Sequence, residues 1–200
     1  MSLMIHPFGF GVLQHCLIHL DDHQNTFIHE AAMEHCLTLG THVKGCISLT
    51  EYLNHSKSTR KQLLLKKITE LSLCLSQDPY GNYVVGAALQ LEIPEVICNI
   101  CHQLKGHYVH LSTNKFSSFV VQKCLVRRTE FVLSELLESG KLGQLAFDPY
   151  GNYIVQTALE MTKGVLKLRL INVLRPHSQN LQLHLHGQRI FHLLSGSVWK

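Results

Sequence analysis

Long apolar runs are absent from this sequence of 200 residues, and none approaches the roughly 18 consecutive apolar residues that a membrane span requires. The opening residues MSLMIHPFGFG also lack the basic segment and the apolar segment of a secretory signal. We therefore expect a protein that is not exported and has no membrane partner.

Charged residues are scarce at 16%, whereas apolar residues reach 46%, so the composition is not that of a disordered chain. The formal net charge of +4, from 18 basic and 14 acidic residues, permits an anionic partner without requiring one. The seven cysteines are odd in number, and most lie in apolar helical patterns. Without an export signal, we interpret them as reduced thiols of a cytosolic or nuclear protein, and of these two locations we predict the cytoplasm.

Signatures of catalysis are missing as well, because there is no Gly-x-Ser-x-Gly elbow and no Walker-type phosphate loop. Cys98, Cys101 and His102 form the C-x-x-C-H pattern of c-type haem attachment, but an oxidising compartment is not indicated and zinc would need two more ligands. We interpret this segment as part of a helix, and His184 and His186 as packing or surface residues. The prediction is a protein that is not an enzyme and uses no cofactor, metal or small-molecule substrate. A thiol or haem site at Cys98 and Cys101 is the least favoured alternative.

The sequence DPYGNY occurs twice, at residues 78–83 and 148–153. We interpret each copy as the start of a helix. Asp148 is the predicted cap, and Pro149 suits the first helical position, where a missing N–H group costs nothing.

A mixed polar and aromatic face follows this helix start. Asn152 and Gln156 are four residues apart and therefore lie on one side of the helix, with Tyr153 beside them. A planar ring next to two polar side chains can stack on a flat ligand and contact its edge.

Related motifs occur along the whole chain at a nearly constant interval. In these motifs a small residue is followed by two variable positions and an apolar pair, except that the second motif is a weaker copy with Ser48 in place of one apolar residue. The first variable positions are residues 10, 46, 82, 118, 152 and 188. They are 36, 36, 36, 34 and 36 residues apart. A period of this size is typical of a solenoid of stacked helical units. We predict an all-α fold without strands, because alternating β-branched runs are few.

The motifs resemble those of the Pumilio (PUF) family of RNA-binding repeat proteins, most specifically DPYGNYVV at 78–85, KFSSFVVQKCL at 115–125 and DPYGNYIVQTALE at 148–160. Their order is similar to the last five repeats and the C-terminal cap of an eight-repeat domain in diverged plant members, with the first three repeats absent. The resemblance implies a right-handed, curved α-solenoid with about 36 residues per repeat. The implied repeats cover residues 1–32, 33–68, 69–104, 105–138 and 139–174, and the cap covers 175–200.

In this family each repeat contacts one RNA base, with the first and fifth motif residues at the base edge and the second stacked on its face. The resemblance implies that Asn152 and Gln156 suit uracil, and that Ser118 and Gln122 suit adenine. The implied edge residues are Asn152, Gln156, Ser118, Gln122, Asn82 and Gln14, and the implied stacking residues are Tyr153, Phe119, Tyr83 and Arg189. Because the family's RNA runs antiparallel to the protein, the implied order is 5′-U, then A, then U.

The N-terminal motifs depart from the family pattern. Gly86 stands where an edge-contacting Gln belongs, and the motif at 46–50 provides neither a ring nor a long amide. Phe10 occupies an edge position and Gly11 a stacking position. Since stacking contributes roughly 1–3 kcal/mol per base, three rings predict weak binding through two or three competent base pockets.

The resemblance implies that the partner is single-stranded RNA, at elements in 3′ untranslated regions of mRNA. It also implies control of translation or mRNA decay, with translational repressor or deadenylase proteins as further partners. The alternative is a degenerate helical scaffold that binds protein and has lost RNA binding, which the altered motifs at 10–14 and 46–50 support.

The sequence leaves several alternatives open. Aromatic residues often pack between repeats, although the apolar pair after each ring favours a ring outside the core. The basic residues Lys115, Lys123, Arg127 and Arg128 are equally compatible with a solvated face and with phosphate contacts. We also expect an exposed apolar surface, prone to association, at residues 1–14, since no earlier unit covers it.

Overall fold

The computed structural model describes residues 1–56 and 59–197. The chain divides into two compact units, Met1–Gln103 and Leu104–Lys200. The predicted second repeat and the predicted cap include residues outside the described part, and the predicted repeat boundaries stay a prediction.

Helices of the first unit come in groups of a short helix, a motif helix that begins at the small residue of the repeat, and a third helix. In chain order they are α1 (Ser2–Ile5), α2 (Gly9–His19), α3 (Thr26–Glu34), α4 (Cys36–Gly40), α5 (Gly45–His55), α6 (Lys61–Glu70), α7 (Ser72–Gln77), α8 (Gly81–Gln90) and α9 (Pro94–Gln103).

The second unit repeats this order. Its helices are α10 (Tyr108–Ser112), α11 (Ser117–Arg127), α12 (Thr129–Glu138), α13 (Leu142–Leu145), α14 (Gly151–Met161), α15 (Gly164–Leu174), a 3₁₀ turn (Arg175–His177), α16 (Ser178–Leu183) and α17 (Gln188–Ser197).

Within each unit, corresponding helices of neighbouring groups pack against each other. In the first unit α2 contacts α5 and α5 contacts α8, while α3 contacts α6 and α6 contacts α9. In the second unit α11 contacts α14, α14 contacts α17, and α12 contacts α15. Fully buried aliphatic side chains such as Leu49, Val85, Val121 and Val155 fill these contacts. The predicted all-α fold of stacked repeats is confirmed for residues 1–56 and 59–197, which contain no strand.

Helix length also bears on membrane insertion. Over the described part of the chain, no helix combines the length and the apolar character needed to cross a bilayer.

A polar side chain precedes each motif helix and accepts hydrogen bonds from backbone N–H groups near the helix start. Asp148 Oδ1 lies 2.8 Å from the nitrogen of Tyr150 and 2.7 Å from that of Gly151. The equivalent acceptors of the other repeats are His6, His42, Asp78, Asn114 and His184. The prediction that Pro149 opens the helix is wrong, because α14 begins at Gly151 and Pro149 lies in the turn before it. The side chain of Asp148 nevertheless satisfies N–H groups that the helix itself leaves free.

The small residue at the start of each motif helix permits a close approach to the preceding short helix. A Cβ atom on Gly81 would lie only 2.5 Å from the carbonyl oxygen of Leu75. Ser117 meets the same constraint differently, because its Oγ donates a hydrogen bond of 2.8 Å to the carbonyl oxygen of Leu111. Packing against the short helix therefore explains why the motif begins with Gly or Ser.

A buried histidine links the stability of the first unit to pH. His29 on α3 is 8% exposed, and its Nδ1 lies 3.0 Å from the hydroxyl oxygen of Tyr52. Burial, and then the positive charge of Arg60, lower the pKa of His29 from its ordinary 6.5, against opposing effects of Glu30 and Asp22. The folded state therefore binds this proton less readily than the unfolded state does.

We expect the free energy of unfolding to fall as the pH is lowered through and below 6.5, because unfolded His29 takes up a proton that folded His29 resists. Urea unfolding at about pH 7.5 and about pH 5.5 measures this effect. In His29→Gln the acid-induced loss should be smaller, by at most about 1.4 kcal/mol between these two pH values, because one proton is taken up over a single pH unit below 6.5. An equal loss in both proteins would contradict the prediction.

Candidate nucleic-acid interface

Three aromatic side chains of the motif helices lie at the surface. Tyr83, Phe119 and Tyr153 are 59%, 42% and 56% exposed. The two residues after each ring are fully buried, and these are Val84, Val85, Val120, Val121, Ile154 and Val155. Burial between repeats is therefore excluded for these rings. Each one presents apolar ring surface on which a flat ligand can stack.

Asn152, predicted as an edge residue, is only 3% exposed. Its Nδ2 donates to the carbonyl oxygens of Asp148 and Pro149, both at 2.9 Å. Since carbonyl oxygens only accept, the atom facing them must be the amide nitrogen, and both of its hydrogens are used. The Oδ1 of Asn152 accepts from Nε2 of Gln156 at 2.7 Å.

This series of hydrogen bonds fixes the orientation of the Gln156 amide, because its nitrogen must face the acceptor on Asn152. The half-buried Gln156 keeps its Oε1 and its second N–H for a ligand. Asn152 therefore positions Gln156 in this structure. The predicted contact of Asn152 with a base stays a prediction.

The amide of Gln122 is held by a residue of a neighbouring helix, whereas the amide of Gln156 is held by a residue of its own helix. The Nε2 of Gln122 lies 2.8 Å from the hydroxyl oxygen of Thr157, which belongs to the neighbouring motif helix α14. A hydroxyl can both donate and accept, so Thr157 holds the Gln122 amide in place without fixing its orientation. Ser118, the second predicted edge residue of this repeat, is half-buried.

A lysine lies against the Phe119 ring. The ammonium nitrogen of Lys123 is 4.8 Å from the ring centroid, a cation–π geometry. Burial, and then the charge of Arg127, lower the pKa of Lys123. The other predicted basic residues, Lys115, Arg127 and Arg128, are exposed, and their contact with phosphate stays a prediction.

Asn82 repeats the arrangement of Asn152 without a neighbouring amide. It is 4% exposed, and its Nδ2 donates to the carbonyl oxygens of Asp78 and Pro79 at 2.9 and 3.0 Å. Residue 86 is glycine, so nothing equivalent to Gln156 contacts Asn82 Oδ1. This repeat combines an exposed ring with a carbonyl-type acceptor.

The first two motifs have no exposed ring at the stacking position. Gln14 is half-buried, Phe10 is 39% exposed, and a Cβ on Gly11 would meet no atom within 4 Å. Ile47 on α5 is 42% exposed at the stacking position. Between α5 and α8 lies a cavity of about 400 Å³ whose wall includes Val43, Cys46, Ile47, Thr50, Tyr80 and Tyr83.

Arg189, the predicted stacking residue of the cap, lies on α17. Its side chain is 66% exposed, and one guanidinium nitrogen is 3.8 Å from Oε1 of Glu160. An ion pair this exposed contributes little to stability. The guanidinium plane remains accessible for stacking, which stays a prediction.

The thiol and haem alternative meets a steric obstacle. Cys101 is fully buried on α9, so covalent attachment at both Cys98 and Cys101 would require that helix to open. His184 uses Nδ1 to accept from the nitrogen of His186 and packs edge-on against Phe147 at 5.1 Å. Over the described residues, no group of three His, Cys, Asp or Glu side chains is placed to hold a metal ion.

Reasoning from the sequence missed the structural roles of two residues, Thr157 and Asn152. Thr157 carries no motif signal, and only the packing of α11 against α14 brings it to Gln122. The motif does mark Asn152, but its period does not reveal that Asn152 directs both amide hydrogens at its own backbone. The Asp-Pro pair that precedes the helix could have indicated this, because its two carbonyl groups are the ones that the amide of Asn152 contacts.

Comparison with known proteins agrees with this geometry. The model of the Pumilio-family RNA binding repeat matches residues 1–28, 73–85, 107–137 and 141–175. Putative pumilio homolog 7, chloroplastic, of Arabidopsis thaliana is 41% identical over 173 residues, which are 85% of this chain and 27% of that protein. Pumilio homolog 12 of the same plant is 37% identical over 191 residues, which are 94% of this chain and 32% of that protein. The chain thus spans about a third or less of these relatives.

Solved structures are similar as well. The Puf4 RNA binding domain bound to the HO endonuclease RNA 3′ UTR recognition sequence has a TM-score of 0.90 and 31% identity, over 96% of this chain and 64% of that one. PUF-8 in complex with PBE-RNA has a TM-score of 0.84 at 23% identity, over 98% of this chain and 60% of that one, and shows the fold alone.

Proposed function

Because the chain belongs to the Pumilio family of RNA-binding repeat proteins, we propose that it binds single-stranded RNA in a sequence-selective manner. The observation that carries the proposal is the exposure of Tyr83, Phe119 and Tyr153 at one position of three motif helices whose next two residues are buried. Unstacked bases of single strands bind such rings, and polar side chains beside the rings contact the base edges.

Selectivity is assigned to the amides beside the rings. Gln156, oriented by Asn152, offers one acceptor and one donor to the edge of uracil. Gln122, held by Thr157, does the same for adenine. The Asn82 repeat follows with uracil, as in the family order, so the proposed core is 5′-UAU.

The proposed biological role is supported by the family and by the RNA in the Puf4 complex, which is a 3′ UTR recognition sequence. We propose that this chain binds elements in the 3′ untranslated regions of mRNA in the cytoplasm. There it controls translation or decay, with repressor or deadenylase proteins as partners, by binding and not by catalysis. The protein-binding scaffold is the weaker proposal, because it leaves the exposed rings and the oriented Gln156 amide without a ligand.

Selection from a random RNA pool tests the proposal. We expect enrichment of UA-containing single strands, because rings and amides together favour a defined base order. The affinity for the selected RNA should fall as salt is raised, to the extent that basic residues contact phosphate. A pool that stays random through the selection would contradict sequence-selective binding.

A further inference from the structure

Two histidine side chains on α2 lie next to each other at the surface of the first unit. His15 and His19 are four residues apart, so they project from the same side of the helix on successive turns. Their ring centroids are 4.4 Å apart, and the ring planes are inclined by 42°. Both side chains are exposed. They follow the motif at 10–14, so the proposed base contacts do not use them.

The ring nitrogens of this pair are available to a ligand. Over the described residues, neither imidazole forms a hydrogen bond or an ion pair. Histidines elsewhere in the unit differ, since Nδ1 of His42 accepts from the backbone nitrogen of Lys44 at 3.1 Å. A neutral imidazole has one nitrogen with an accepting lone pair. The pair therefore offers two unused lone pairs on one helix face.

The space beside the two rings is open. Gly11 lies one turn before His15, and a Cβ atom there would meet no atom within 4 Å. Val12, on the same side of the helix, is 53% exposed. A small ion can therefore approach the rings from solvent and keep water molecules among its ligands.

The separation of the rings fits a chelate, in which both imidazoles bind one metal ion. Bonds between zinc and imidazole nitrogen are about 2.0–2.1 Å long, so each ring centroid lies about 3 Å from the ion. Two rings at about a right angle around the ion then have centroids about 4–5 Å apart. The distance of 4.4 Å between His15 and His19 falls in this range. Two histidines at this spacing on a helix also hold zinc in metalloproteases.

We propose that His15 and His19 chelate a divalent ion of the late transition metals, the class of Ni²⁺, Cu²⁺ and Zn²⁺, through one nitrogen each. Imidazole suits these ions, whereas Mg²⁺ and Ca²⁺ take oxygen ligands. Water completes the coordination, because no group of three His, Cys, Asp or Glu side chains is placed to hold a metal within the described part of the chain. The site is independent of RNA binding and replaces the expectation from the sequence that the chain uses no metal.

Calorimetric titration with Ni²⁺ at about pH 7.5, where imidazole is largely unprotonated, tests the proposal. We expect one site of highest affinity per chain. His15→Gln and His19→Gln should each weaken it by about 100-fold, because two linked ligands hold an ion far more tightly than one does. The double variant should lose little more, since neither single variant can still chelate. Mg²⁺ should not bind at this site.

A second readout follows from linkage between binding and folding. An ion that binds only the folded chain raises the urea concentration at which half of the protein is unfolded. Ni²⁺ should produce this shift in the wild type and a much smaller one in His19→Gln. The two proteins should unfold alike without Ni²⁺, because the His19 side chain is exposed.

His192→Gln is the matched control, because His192 is exposed on another motif helix, α17, and has glutamine and glycine at residues 188 and 196. It should bind Ni²⁺ as the wild type does. Single variants that bind as tightly as the wild type overturn the assignment. Losses that add in the double variant also overturn it, because they indicate two separate histidines. A wild type that binds no Ni²⁺ overturns the site and leaves the proposed RNA binding unaffected.

Discussion

Replacement of Tyr153 with alanine is expected to weaken the binding of a short UA-containing RNA by about 5- to 150-fold, which corresponds to the roughly 1–3 kcal/mol contributed by one stacked base. The ring is 56% exposed, so its removal takes away ligand surface and leaves no cavity in the core. Ile154 and Val155 remain fully buried beneath it. Fluorescence anisotropy with labelled RNA measures the change.

Two control variants separate stacking from general effects on α14. Tyr153→Phe keeps the ring and should bind RNA as the wild type does. Met161→Ala removes a 43% exposed apolar side chain from the same helix without touching the proposed base site. If Tyr153→Ala bound RNA as tightly as these controls, Tyr153 would not be a stacking residue.

Replacement of Asn152 with alanine should affect both folding and base choice. The carbonyl oxygens of Asp148 and Pro149 lose their side-chain donors, which we expect to lower the free energy of unfolding by about 1–3 kcal/mol. Gln156 loses the acceptor that orients its amide. A free amide can turn to suit adenine as well as uracil, because exchange of its oxygen and nitrogen reverses donor and acceptor.

The preference for U over A at the first base should then fall toward unity, from the roughly 5- to 150-fold that about 1–3 kcal/mol of discrimination represents. Asn82→Ala is the matched control, because Asn82 makes the same two carbonyl contacts but has glycine at residue 86. It should lose similar stability, measured by urea unfolding, and keep the preference at the first base. A selectivity that survives in Asn152→Ala would show that Asn152 does not orient Gln156.

The exposed rings were predictable from sequence because the helical period assigns positions to faces. Two consecutive apolar residues after Tyr83, Phe119 or Tyr153 must turn toward the core, and the ring then lies outside it. The same logic predicts the order of short, motif and third helices. Both predictions depend only on the spacing of residues within one segment of the chain, and this spacing can be read directly from the sequence.

The hydrogen bonds of the site could not be predicted in the same way. Whether the amide of Asn152 faces a ligand or its own backbone depends on side-chain torsions at the helix start, which spacing does not specify. The contact between Gln122 and Thr157 depends on how one helix sits against the next.

Each motif helix keeps its structural and its ligand-facing residues at different positions of the same turn. The small first residue and the apolar pair are constrained by neighbouring helices, whereas exposed residues such as Tyr83 and Tyr153 are not needed for those contacts. Natural variation can therefore alter one nucleotide preference at a time while the architecture persists. A lineage of such chains could diversify its targets gradually, without passing through unfolded ancestors.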